Sequence, residues 1–433
     1  MSRLVAFASL FTTLVTAIHG IAAEPRPGIN YDEAKVGSVV LPDVLTCTDG
    51  SKVADASTWQ AKRRPELLEL FRSQMHGCSP ARPAEVRFET ENIDRNALGG
   101  KATRKQIAIH LGAEDDAPVI HLLLYVPNGV KGKVPVFLGF NFDGNHTIDA
   151  DPGITLRPQM TWDRQAQSDV INIPTDKDRG ASASRWLVPM VIERGFATAT
   201  IARANVEPDF AEGWHFGIRS YFFKKSGRDN LAPDDWGCIA AWAWSLSRAL
   251  DYLETDPDVD AKRVIVHGHS RMGKTSLWAA AEDERFAAVI SNNSGEGGAA
   301  LSKRNFGETT AVINSAFPHW FCGNYKQYSG AADKLPFDAH ELVALAAPRP
   351  VYVASAKEDE WADPRGEFLA IKNAEPVYRL FNQPGLGVDE FPGVDRPVGT
   401  VMRYHMRTGK HDINEYDWRQ YLDFAEKNVV SRK

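Results

Sequence analysis

The sequence predicts an α/β fold, a mostly parallel sheet covered by helices on both faces. Two observations predict it. Short apolar runs rich in valine and isoleucine recur from about residue 134 to the C-terminus, and stretches with apolar residues at helical spacing separate them. Strands that alternate with helices form parallel sheets buried on both faces, so they read as continuous apolar runs.

The first element is of another kind. Arg3 precedes an apolar run over 4–18, and Gly20-Ile21-Ala22-Ala23 supplies small residues before Glu24. A charged start, a short apolar core and a small-residue site predict a secretory signal peptide over 1–23, hence a secreted or periplasmic protein. The run is short for a bilayer span and contains Thr and Ser, which argues against a membrane anchor. The remainder, 24–433, is expected to form one elaborated domain, since neither a repeat nor a linker divides it.

Residues 24–43 contain Pro and Gly and are expected to wrap the surface. Residues 59–74 carry Leu67, Leu68, Leu70 and Phe71 among charges, an amphipathic helix pattern. Residues 105–111 and 121–126 read as paired strands, the second ending at Pro127-Asn128-Gly129. The α/β pattern then begins with a strand over 136–140 that runs into Asn141-Phe142-Asp143-Gly144-Asn145. Residues 162–185 are polar without a clear period and are expected to be a long loop or insertion; within the stretch from Trp162 to Trp186, Arg179, Arg185 and Trp186 are candidates for extending a cleft wall. A strand over 196–201 follows. In 236–253, Ile239, Ala240, Ala243, Leu246, Leu250 and Leu253 fall at helical spacing, which predicts a long core-facing helix. Strands over 264–266, 288–290, 351–354 and 401–406, and helices over 275–281 and 418–427, complete the series.

With 433 residues, a formal net charge of −6 and 24% charged residues, the chain has a globular composition, and no basic stretch points to nucleic acid. Cys47, Cys78, Cys238 and Cys322 are widely spaced without a CxxC pair, so no zinc site is expected. In an exported protein one or two disulfides are open to them, although the apolar helical context of Cys238 suits a buried free thiol.

The stretch that carries chemistry is VHGHSRMGKTSLW, 266–278. A strand, a tight turn bearing Ser270 and then a helix is the nucleophile elbow of an α/β-hydrolase, a three-layer sandwich with surface insertions. Gly268 meets the demand for a small residue two positions before the serine. Met272 fails the matching demand two positions after it, and the glycine comes one later, at Gly273. In that fold the acid and then the histidine follow the serine, each on a loop after a late strand. The strand over 351–354 leads to Lys357-Glu358-Asp359-Glu360-Trp361, and the strand over 401–406 leads past Gly409 to His411. His405, inside the strand pattern, is expected to be packed.

These residues also carry a family resemblance. The pieces FLGFNFDGNHT (137–147), GHSRMGKTSLW (268–278), SNNSGEGGAALSKRNFGE (291–308), FPHWFCGNY (317–325), LPFDAHELVALAAPRP (335–350), EDEWADPRGE (358–367) and GKHDINEYDW (409–418) resemble the glucuronoyl esterases, carbohydrate esterase family fifteen, in particular bacterial members. The resemblance implies that Ser270 is the nucleophile, His411 the general base and Arg271 an oxyanion-stabilising residue. It implies that Lys274, Glu308 and Trp361 contact the hydroxyls of a uronic acid. From the residues alone, Lys274 also reads as a solvated charge, Glu308 as a turn cap or a partner of Arg304, and Trp361 as core or pocket rim.

The sequence departs from the family at the acid. Fungal members place a catalytic Glu just before the Ser-Gly-x-Gly-Gly segment, where this chain has Asn293. The acid is therefore expected at Asp359, with Glu296 as a competitor that better suits a pocket wall or buried network. Fungal members also carry a Cys beside the nucleophile and another beside the histidine; here those positions are His269 and Asp412.

The implied chemistry is two-step acyl transfer with donors near Ser270 and the Phe140-Asn141 loop at the oxyanion, and with no metal or organic cofactor. The implied substrate is an ester of 4-O-methyl-glucuronic acid with a lignin alcohol, so the partner is a carbohydrate, with no nucleic acid or membrane, and the chain is expected to be a monomer. The alternatives are an exported carbohydrate acetyl esterase or other small-ester hydrolase of the same fold, and a non-catalytic binding protein.

Overall fold

The structure, a computed structural model, describes residues 28–228 and 230–431. The expected leader, 1–23, lies outside the described residues. Among the described residues twelve strands form: β1 (Arg87–Ala97), β2 (Ala102–His110), β3 (Val119–Pro127), β4 (Val134–Asn141), β5 (Gln159–Asp163), β6 (Ser168–Asn172), β7 (Ala197–Ala202), β8 (Val259–His269), β9 (Ala288–Asn292), β10 (Val351–Ala356), β11 (Val398–Gly399) and β12 (Met402–Arg407).

Ten of these make one sheet in the order β1-β2-β3-β7-β4-β8-β9-β10-β12-β11. The six from β7 to β12 in that order pair in parallel, and antiparallel strands flank them on both sides. The parallel strands are buried on both faces, and their alternating side chains divide between two cores. Val136, Leu138, Val264, Val266, Val289, Val351 and Val353 point into one, with the helices Cys238–Leu253 and Arg271–Glu282. Phe137, Ile265, Ile290, Tyr352 and Ala354 point into the other, with Trp418, Tyr421, Leu422 and Phe424 of the closing helix Glu415–Ala425. The result is the three-layer α/β-hydrolase sandwich, and each fully buried large side chain adds roughly 1.5–3 kcal/mol.

Several expectations change. β1 was not predicted because most of its side chains are exposed and polar, so it has no apolar pattern to read. The helix expected over 59–74 is part of a longer helical run, 56–76, that includes π-helical turns. The helix Cys238–Leu253 is buried along its whole length rather than on one face. The region expected as a long loop over 162–185 contains the β5–β6 hairpin and a helical turn, Ala183–Trp186. All four cysteines are free: Cys47, Cys238 and Cys322 are buried and Cys78 is exposed. No described helix is long and apolar enough to cross a membrane.

Candidate active site

The parallel strands end together, and the candidate site lies at their C-terminal ends, where ligands generally bind in open α/β sheets. Register sets Gly268 beside Ser291 and His269 beside Asn292, and Ala354 beside Asn292 and His405. The residues that follow these ends are Ser270, Asn293, Asp359 and His411.

Ser270 joins β8 to the helix Arg271–Glu282 with φ 58° and ψ −130°, a conformation that costs a non-glycine residue of order 1–3 kcal/mol. Its N–H donates to Asn292 O at 2.8 Å. The turn dictates its neighbours: a Cβ on Gly268 would lie 2.0 Å from Met272 O. A Cβ on Gly273 would lie 3.0 Å from the Ser294 side chain and 3.1 Å from Ser291 Oγ. Met272 is buried in the core, so the tight second contact falls on Gly273, and the displaced glycine is a packing requirement.

Asp359 Oδ2 accepts from His411 Nδ1 at 2.6 Å and from Asn293 Nδ2 at 2.7 Å. The carboxylate is 4% exposed, while the His411 side chain is 40% exposed toward the cleft. The acid and histidine loops are zipped by Lys357 N–H to Arg407 O at 2.9 Å and Glu358 N–H to Gly409 O at 3.0 Å. On its other side His411 meets the ring of His269, with centroids 4.6 Å apart. Burial, the charge of His411 and then Arg185 keep the His269 imidazole far below its ordinary pKa, so it packs as a neutral ring. Glu296 lies away from His411: it is buried and accepts from the hydroxyls of Ser302, Thr310 and Tyr325 at 2.8–3.0 Å.

One cavity of about 650 Å³ is lined by all seven sequence candidates, Ser270, Arg271, Lys274, Glu308, Asp359, Trp361 and His411. Lys274 is 3% exposed rather than solvated; its ammonium donates to Ser294 O and Glu296 O, each at 2.6 Å, and lies 3.6 Å from the Glu308 carboxylate. Burial lowers its pKa and Glu308 opposes that shift. Arg304 does not pair with Glu308; it pairs with Asp363 at 2.7 Å and with Glu33. Trp361 is half-buried at the cavity wall, where its carbonyl accepts the Glu308 N–H at 2.9 Å.

The guanidinium of Arg271 pairs with Asp209 and lies 4.7 Å from the centre of the Trp320 ring. Asp209 also accepts from Trp320 Nε1 at 2.7 Å and His319 Nε2 at 2.9 Å, and pairs with Arg203 at 2.9 Å. Burial alone would raise the Asp209 pKa, but Arg203 and Arg271 hold it well below the usual carboxylate range. Sequence reading missed Asp209; the available signal was its place just past a sheet strand, β7, at the same C-terminal edge. It also missed Tyr31, Phe317 and Trp320 of the cavity wall, and Glu367, whose carboxylate accepts from the Ser294 and Gly295 N–H groups at 2.7 and 3.0 Å and shapes the glycine-rich turn.

Of the insertion residues, Arg179 binds the carbonyls of Asp151 and Ile154, Arg185 pairs with Asp412 at 2.7 Å, and Trp186 is core. The hairpin instead lines a second cavity of about 470 Å³ with Met160, Thr161, Trp162 and Arg164; this cavity shares Arg271 and Phe317 with the first. Among the described residues no group of three or more His, Cys, Asp or Glu is placed to hold a metal ion.

Residues 220–382 match the family model described as glucuronyl esterase, fungi. The chain is 47% identical over 421 residues to Carbohydrate esterase MZ0003 from an unknown prokaryotic organism, covering 97% of this chain and 96% of that one. The chain belongs to the glucuronoyl esterase family. A family relative from Wolfiporia cocos, 4-O-methyl-glucuronoyl methylesterase 1, is 33% identical over 380 residues, 85% of this chain and 75% of its own. The solved glucuronoyl esterase from Solibacter usitatus superposes with a TM-score of 0.87 at 49% identity, covering 91% of this chain and 99% of that chain.

Proposed function

We propose that this chain is a serine esterase that cleaves esters of glucuronic acid, including its 4-O-methyl form, with lignin alcohols. The observation that carries the reading is the single cavity in which Ser270 on its strained turn, the His411–Asp359 pair, Arg271 and the sugar-facing Lys274, Glu308 and Trp361 converge. Family membership supports the glucuronate part of this reading, because relatives such as that from Wolfiporia cocos are named 4-O-methyl-glucuronoyl methylesterase.

In the first step His411 Nε2 takes the Ser270 hydroxyl proton as Oγ bonds to the ester carbonyl carbon. The carbonyl π pair moves to oxygen, and Asp359 holds the imidazole in the tautomer that leaves Nε2 free to accept. The oxyanion meets Arg271 and the N–H groups that open its helix, whose first donors have no partner within the helix. The C–O bond to the alcohol then breaks, His411 returns its proton to the departing oxygen, and an acyl-Ser270 ester remains. Water, deprotonated by His411, attacks that ester and releases the uronic acid and Ser270. In the ground state Lys274, Glu308 and the Trp361 face engage the sugar, while the alcohol side faces the open cleft.

We also propose that residues 1–23 direct export and are removed, that 24–433 act as one catalytic unit, and that this unit is a monomer acting on polymer-borne esters. The deciding experiment compares hydrolysis of benzyl glucuronate, methyl galacturonate and acetylated xylan by the wild type and Ser270→Ala. Glucuronate is expected to be cleaved fastest and to be lost with Ser270; fastest cleavage of acetylated xylan would overturn the reading.

A further inference from the structure

The histidine loop carries no covalent tie, since all four cysteines are free, and the His411 side chain is 40% exposed. Yet the loop is gripped from beneath by one buried side chain. Arg407, at the end of β12 and 2% exposed, donates from Nη1 to Thr408 O at 3.0 Å, and from Nη2 to Lys410 O at 2.9 Å and Asp412 O at 2.5 Å. Its Nε donates to Asp417 Oδ2 at 2.8 Å, and Asp417, on the closing helix, also accepts from the Asn414 N–H and from His405 Nε2, each at 2.9 Å. The loop therefore curls around a single guanidinium whose own position is set by the core. Gly409 permits this approach: its φ is 103°, and a Cβ there would lie 3.1 Å from Arg407 Nη1.

We infer that Arg407 is a positioning residue for the catalytic histidine, holding the backbone on both sides of His411 so that the imidazole stays seated on Asp359. The inference rests on the reading of His411 as the general base. Only a planar guanidinium fits the role, because its five donors diverge in a fixed fork, whereas a lysine ammonium offers three donors at one point. A displacement of about 1 Å in a catalytic group is enough to cost about a hundredfold in rate.

The test measures kcat and KM on benzyl glucuronate for Arg407→Lys, Arg407→Ala, Gly409→Ala and His411→Ala, with folding checked by circular dichroism and cooperative melting. Arg407→Lys is expected to lose about a hundredfold in kcat, with KM within about twofold of wild type. Methylguanidinium below denaturing concentration is expected to restore at least tenfold of the Arg407→Ala loss and nothing to Arg407→Lys. A folded Arg407→Lys enzyme with wild-type kcat, or a folded Arg407→Ala enzyme unresponsive to methylguanidinium, overturns the inference. Should both arginine variants fail to fold, Gly409→Ala carries the test by pushing the loop off the guanidinium: a kcat loss of tenfold or more supports the clamp and an unchanged kcat overturns it. Full activity in His411→Ala would instead remove the underlying reading of the base.

Discussion

His411 Nδ1 and Asp359 Oδ2 lie 2.6 Å apart, and the same oxygen accepts from the Asn293 amide at 2.7 Å. In the proposed mechanism a carboxylate so placed fixes the tautomer that deprotonates Ser270. Asp359→Asn is expected to lower kcat by about 10³–10⁴-fold with little change in KM, as measured on benzyl glucuronate. Glu296→Gln, whose carboxylate is engaged by Ser302, Thr310 and Tyr325, should stay within about tenfold of wild type at pH 6. The reverse ranking would move the acid to Glu296.

Glu308 and Lys274 face the same cavity from opposite sides of a 3.6 Å gap. Losing one charge-assisted hydrogen bond to a sugar hydroxyl costs about 1.5–3 kcal/mol. Glu308→Gln is therefore expected to reduce kcat/KM for glucuronate esters by about 10–100-fold while leaving cleavage of a small acetyl ester almost unchanged. Equal losses on both substrates would assign Glu308 to folding alone.

The strain at Ser270 predicts a separation of stability from activity. Ser270→Gly and Ser270→Ala both remove the proposed nucleophile, but only glycine is at ease with φ 58°. Ser270→Gly should be the more stable of the two by about 1 kcal/mol in urea unfolding. Equal midpoints would mean that the surrounding turn, rather than this residue, stores the strain.

Glu296 gives the fold a pH dependence whose sign follows from its burial, which pushes its carboxyl up to about 7 from 4.5. The folded state then holds a proton that the unfolded chain releases between those values. Its contribution is full below pH 4.5 and is lost as pH rises toward 7, by about 3 kcal/mol at most. Comparing wild type with Glu296→Gln in urea at pH 5 and pH 7.5 should show the variant gaining relative stability at the higher pH. A difference that does not change with pH would refute this.

Trp162, 41% exposed on the β5–β6 hairpin, lines the cavity that adjoins the candidate site across Arg271 and Phe317. Trp162→Ala is expected to raise KM several-fold on long glucuronoxylan fragments, in line with the roughly 0.5–1.5 kcal/mol that one aromatic contact supplies, and to leave benzyl glucuronate unaffected. Equal effects on both substrates would exclude a role for the hairpin beyond the sugar.

The sheet centre and the convergence of Ser270, Asp359 and His411 on one cavity were legible in the sequence because continuous apolar runs and the loops after them leave direct marks. The antiparallel edge was partly hidden: β1 exposes most of its side chains, and pairing alone defines it. At the candidate site, residue types named the groups proposed to react but not those that hold them. Arg407 reads as an ordinary strand-end charge, Asp209 as a loop acid and Asn293 as a lost catalytic position. Only folding brings each beneath Thr408, Lys410 and Asp412, beside Arg271, or onto Asp359. Lys274 is the clearest case, since a lysine in a first helical turn suggests solvent and the chain curls two carbonyls over it instead.

Residues 28–36 gain a meaning beyond covering the surface. Asn30 O accepts the Gly307 N–H at 2.9 Å, Tyr31 meets Phe306 edge-on and lines the cavity that holds Ser270, and Glu33 pairs with Arg304. The start of the described chain is thus part of the wall of the candidate site. A tag, fusion joint or trimming point placed near residue 28 therefore borders the candidate site, within a few residues of the contacts that Asn30, Tyr31 and Glu33 make.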